Sequence, residues 1–180
     1  MKRVLLSYLI FALTLGLFSS CKNEKGTPKK DSGEKEIVET DPNFYVSVLM
    51  KSSTQETIRL FYVNLGDESY SEEHSLKLTL NPSETYQEVK FKIEEIPEKF
   101  RIDFGDSEND GSMEIDRVVL ENEGKMISVG FEVLDRYFKP NIYMEVDGSL
   151  VNRKTIDGRY DPFMESRDLL HQQILIDFIQ

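Results

Sequence analysis

F-R-I-D-F-G-D-S-E-N-D-G-S-M-E-I-D-R-V-V-L, residues 100–120, is the stretch on which the fold class turns. Phe100, Ile102 and Phe104 alternate with Arg101 and Asp103; beyond an acidic, glycine-containing segment, Met113 and Ile115 alternate with Glu114 and Asp116. A period of two places one set of side chains on a buried face and the other in water, which is the pattern of a half-buried β-strand. The stretch predicts two antiparallel strands joined by a polar hairpin loop, and the break in alternation at Arg117-Val118-Val119 predicts a bulge.

The same period recurs on both sides. Phe44, Val46, Val48 and Met50 form one strand, Thr57–Val63 a β-branched and aromatic second, Leu76, Leu78 and Leu80 a third. Val89, Phe91 and Ile93 alternate with charged residues, and Pro97 closes that strand. Asn122-Glu123-Gly124-Lys125 and Asp147-Gly148 are hairpin turn signals, the second following a strand expected over Ile142–Val146. Residues 154–167 read as irregular, with a structured loop at Asp157–Phe163, and Ile174, Ile176 and Phe178 as a closing strand. Roughly eight or nine short strands without a long amphipathic helix predict an all-β, two-sheet antiparallel β-sandwich of jelly-roll type over residues 43–180.

The chain begins differently. Met1-Lys2-Arg3 is basic, and Val4–Phe18 is apolar and short for a membrane span, the form of a signal peptide over residues 1–20. Leu17, Phe18, Ser19 and Ser20 lead directly into Cys21, an arrangement that resembles a bacterial lipobox. That resemblance implies cleavage before Cys21, diacylation of its thiol, a third acyl chain on its amine, and lasting attachment to a membrane of the cell envelope. Residues 21–42 are rich in Lys, Glu, Gly, Ser and Pro and form a disordered tether. Such a tether spans about 25 Å on average.

Composition narrows the partners. The formal net charge of −11 repels phosphate backbones and anionic headgroups, so nucleic acid is excluded as a partner. Cys21 is the single cysteine, which rules out an internal disulfide and a cysteine zinc site, and His74 and His171 share no ligand spacing. Asp106, Glu108, Asp110 and Gly111 match the opening half of a calcium loop, but Arg117 stands where a bidentate glutamate is required. The expectation is an exposed acidic loop, with structural calcium as the alternative and no other cofactor.

Arg101-Ile102-Asp103, Gly105-Asp106, Ile115–Leu120 and Asp161-Pro162-Phe163 together resemble jelly-roll domains of bacterial surface-glycan proteins. The resemblance implies a sandwich fold in a carbohydrate-related setting and supplies no site. Sugar rings stack on exposed aromatic faces; the candidates are Tyr45, Tyr62, Tyr70, Tyr86, Tyr137, Phe138, Tyr143 and Tyr160, with no tryptophan in the chain. Tyr137, Phe138 and Tyr160 fall in expected loops and are the favoured ligand contacts. The expected function is a non-catalytic binding or accessory module for glycan. A structural subunit that binds other envelope proteins is the alternative, and an acid-pair glycoside hydrolase comes third.

Overall fold

The computed structural model describes residues 41–106, 108 and 111–180. The signal-type segment, Cys21 and the tether up to residue 40 lie outside the described residues, as does Asp110 of the acidic loop. Alternation in β1 (Phe44–Ser52) turns Phe44, Val46, Val48 and Met50 wholly inward. Burying that face requires a second layer, and the chain supplies one: two antiparallel sheets packed face to face.

The first sheet has the order β4 (Gln87–Ile93), β1, β6 (Met113–Asn122), β10 (Leu150–Arg153), β9 (Met144–Asp147), with β7 (Lys125–Gly130) also pairing β6. The second has the order β3 (Ser75–Leu80), β2 (Glu56–Val63), β5 (Lys99–Phe104), β11 (Phe163–Ser166), β8 (Phe138–Pro140). Between them lie the core rings Phe44, Phe91, Phe100, Phe104 and Phe138, with Ile58, Leu60, Ile102, Ile115 and Met164 filling the spaces. The all-β sandwich expected from alternation is the fold.

The decisive stretch keeps its strands but loses its hairpin. Phe100–Phe104 pairs with β2 and β11, whereas Met113–Leu120 pairs with β1, β7 and β10, so Phe104 and Met113 belong to different sheets and the link between them is an arch, not a hairpin. Alternation reports that each strand has a buried face; it carries no information about which sheet supplies the neighbour. The bulge is present one residue early: Leu49 faces Arg117 and Met50 faces Ile115, leaving Asp116 without an opposite residue.

Other boundaries move for local reasons. The two-residue loop between β6 and β7 carries Glu123 at φ 49° and Gly124 at φ 79°, the doubly left-handed geometry of a type I′ turn. The strand expected from Ile142 begins at Met144, because the Asn141 side chain accepts from the Tyr143 N–H and holds residues 141–143 in a turn. Strands β8 and β11 fall in stretches read as irregular or as loop, and β10 follows the Asp147-Gly148 hairpin signal; each is only three or four residues long, too short to display a period.

The end of the chain is helical. Asp168–Ile174 is an α-helix that continues as a π-helical turn over Leu175–Ile179, in place of the expected strand. Leu170, Ile174 and Phe178 are its buried residues, a spacing of four that the alternation of Ile174, Ile176 and Phe178 conceals. This helix plugs one end of the sandwich, where Phe178 meets Phe44 edge-to-face at 5.3 Å. That end, the proximal end, also holds the β4–β5 link, the β6–β7 turn and the β2–β3 loop. The β1–β2 turn and the arch occupy the distal end.

Candidate functional site

Strand register decides which polar side chains meet on the outer face of the second sheet. Arg59 stands opposite Asp103, Phe61 opposite Arg101, Phe163 opposite Asp103 and Glu165 opposite Arg101. The Arg101 guanidinium therefore lies between two rings, 4.6 Å from the Phe61 centroid and 4.3 Å from that of Phe163. It also donates in a fork to Asp103, Nε to Oδ1 at 2.7 Å and Nη2 to Oδ2 at 2.8 Å. Burial pushes the Asp103 carboxyl above the usual carboxylate range, against the opposing pull of Arg101. Burial likewise pushes the Tyr70 hydroxyl far up, where the β2–β3 loop folds over this face.

Next to this stack is an open groove of about 560 Å³ lined by Lys139, Pro140, Asn141, Ile142, Tyr143, Arg159, Asp161, Phe163 and Glu165. Its shape depends on Asn141. The Asn141 amide donates to the Asp161 carbonyl at 2.6 Å, while its oxygen accepts from the backbone N–H of Tyr143 at 3.1 Å and of Phe163 at 3.4 Å. One side chain thus ties together the three segments that form the walls. Asp157 at φ 51° and Gly158 at φ 75° close a tight turn in which Ile156 and Arg159 exchange both backbone hydrogen bonds. That turn projects Arg159 over the Tyr143 ring at 5.7 Å and onto Asp161 at 2.7 Å. The groove presents two aromatic rings beside paired donors and acceptors, which is the chemistry that holds a polyhydroxylated ring.

The residues singled out from sequence lie elsewhere. Tyr137 is half-buried in the short helix Leu134–Tyr137, and Phe138 is fully buried in β8, 5.7 Å from the Phe100 ring. Both were expected in loops; Phe138 instead belongs to β8, whose inward face takes its ring into the core. Tyr160 does lie in a loop, half-buried, with its hydroxyl turned toward Arg153 and Gly105. Of the tyrosines considered, Tyr143 is the one at the groove. Phe163 stands in the Asp161-Pro162-Phe163 segment, and the Asp157-Gly158 pair was the available signal for a turn that presents Arg159.

Asp106 and Glu108 are exposed. Among the described residues no group of three His, Cys, Asp or Glu is placed to hold a metal ion. One constellation has the outline of a triad: Ser166 Oγ is 2.8 Å from His171 Nε2, and His171 Nδ1 is 3.9 Å from Asp168. Ser166 Oγ already accepts from the Phe100 N–H at 2.9 Å, and the Asp168 side chain is fully exposed. The arrangement fastens the end of β11 to β5 and to the helix and leaves the hydroxyl poorly placed as a nucleophile.

A second cleft of about 360 Å³ opens at the mouth of the sandwich beside β8 and β9, lined by Phe131, Leu134, Phe138, Pro140, Val146 and Met164 with Glu132 and Asp135 at its rim. No protein-family model matches the chain, and no curated protein matches it in sequence.

Proposed function

We propose that this protein is a non-catalytic, lipid-anchored protein of the bacterial cell envelope that binds glycan through the groove between Tyr143, Phe163 and Arg159. The observation that carries this reading is the groove itself: two aromatic rings and four charged side chains, two of them paired as Arg159 and Asp161, held open by the Asn141 hydrogen bonds. Ring faces accept the C–H surface of a pyranose, while Arg159, Asp161, Lys139 and Glu165 are suited to its hydroxyls. A glycan array probed with the soluble Cys21→Ser chain, with and without calcium, tests the reading. Binding to a defined glycan class that drops at least about tenfold in Tyr143→Ala supports it. An array with no bound glycan, or binding unchanged in both Tyr143→Ala and Arg159→Ala, overturns it.

A second reading is a subunit that docks another envelope protein. The apolar cleft at the mouth of the sandwich favours it, because it lies between two strands, β8 and β9, that end their sheets. A photo-crosslinker at Val146 that captures one defined partner in whole cells, lost when Val146 is replaced by Asp, separates this reading from the first.

A further inference from the structure

Large apolar side chains are exposed unevenly. Leu65 on the β2–β3 loop is 82 % exposed and Met126 beside the β6–β7 turn 64 %; Leu169, Leu175, Ile176 and Ile179 project outward from the C-terminal helix and its π-helical turn. All six belong to the proximal end. Leu78, Tyr86 and Leu150 are exposed singly elsewhere, and Ile142 lines the groove. Leu170, Ile174 and Phe178 already satisfy the core, so the outward apolar residues of the helix add nothing to the packing of the domain.

The proximal end is also where the chain enters the domain. The Asn122 amide donates to the Pro42 and Asn43 carbonyls at 3.1 and 3.2 Å, and the Tyr45 hydroxyl donates to Asp41 at 2.5 Å. Residue 41 is therefore fixed within the same end that carries the exposed apolar residues. A flexible chain as long as the one between Cys21 and Asp41 has a root-mean-square span of about 25 Å, so on the lipid-anchored reading this end stays close to the bilayer. Exposed acids at the same end, Glu94, Glu95 and Glu123, disfavour an anionic surface.

We propose that the proximal end is a membrane-contact face, on which Leu65, Met126 and the outward residues of the C-terminal helix rest in the headgroup region of a zwitterionic bilayer. This rests on the lipid-anchored reading given above. Contact through an apolar helix face beside a covalent anchor is cooperative, because the anchor supplies a high local concentration of lipid.

The chain contains no tryptophan, so a single introduced one reports its own surroundings. Ile176→Trp, Met126→Trp and, at the distal end, Leu150→Trp are each made in the chain that starts at Cys21. Each is attached to phosphatidylcholine vesicles containing a spin-labelled lipid quencher, once through native acylation and once by coupling Cys21 to a maleimide lipid. The expected result is quenching about threefold stronger at positions 176 and 126 than at 150, reduced when phosphatidylglycerol is added. Equal quenching at the three positions overturns the proposal, as does shielding of position 176 that follows protein concentration instead of lipid, which marks a second copy of the chain as the occupant. If the maleimide-coupled chain gives the asymmetry but the cell-derived chain carries no acyl groups, the anchor reading fails and the contact face stands. An acylated chain without the asymmetry has the opposite meaning.

Discussion

Arg153 Nη2 lies 2.8 Å from Glu56 Oε1, joining β10 of one sheet to β2 of the other through side chains only 4 % and 2 % exposed. The pair is part of a wider set of bonds. Thr54 Oγ1 donates to the same carboxylate at 2.9 Å, and the guanidinium donates to the Phe104 carbonyl at 3.0 Å and the Gly111 carbonyl at 3.2 Å. Both feet of the arch between β5 and β6 are thereby held to one buried cation.

Removing one member leaves the other charged and dry. Arg153→Ala is expected to lower stability by about 3–5 kcal/mol, whereas the double variant Arg153→Met, Glu56→Gln loses less than the single one. Urea unfolding of the parent, the single variant and the double variant reads the difference; a single variant within about 0.5 kcal/mol of the parent would show that the pair does not hold the sheets.

Gly105 stands at the first foot of the arch with φ +100°, and a Cβ built there would come within 2.8 Å of both Arg153 Nη1 and Glu56 Oε2. Gly105→Ala combines an unfavourable backbone conformation with displacement of the pair. It is expected to cost about 1–3 kcal/mol and to act non-additively with Arg153→Ala. Additive losses would mean that the two positions are independent.

His171 gives the fold a pH dependence of definite sign. Burial lowers its pKa, Asp168 and Glu98 pull it back upward, and Lys99 lowers it further. The folded chain therefore binds this proton less readily than the unfolded chain, so stability is full above the ordinary histidine range and declines as pH falls through it toward the lowered folded value. His171→Gln is expected to flatten stability between about pH 7 and 5. A midpoint in urea that still falls as steeply in the variant would assign the acid sensitivity to another group.

The anchor has its own test. On the lipid-anchored reading, Cys21→Ser expressed in the native host is expected to move the protein from the membrane fraction to the soluble one, because losing the proposed acyl anchor removes essentially all of the membrane affinity it would supply. Persistent sedimentation with membranes after a high-salt wash would refute lipid attachment.

Sheet-forming segments longer than five residues were legible because each repeats its period often enough to be recognised; Val89, Phe91 and Ile93 are an example. Partner choice was not legible. Phe104 and Met113 are close in sequence, and nothing in their alternation distinguishes a hairpin from an arch; the arch is braced instead by Glu56 and Arg153, remote residues that meet across the core. The groove was hidden for a related reason. Tyr143 and Phe163 come from segments joined by the Asn141 side chain, an interaction with no sequence period, whereas Phe138 has the same residue type and the opposite fate because one strand face points inward. The C-terminal helix was misread because its apolar residues satisfy both a period of two and a spacing of four over so short a span.

The central position of β1 bears on the time course of folding. Phe44 pairs with Ile93 on one side and with Asn122 on the other, so the strand formed from the earliest residues of the domain waits for segments much later in the chain. Contacts so distant in sequence must overcome loop-closure entropy before they are rewarded, and domains dominated by them fold on the millisecond-to-second scale. During that interval Phe44, Val46, Val48 and Met50 have no cover, and a chain held up at that stage exposes a strand primed for self-association.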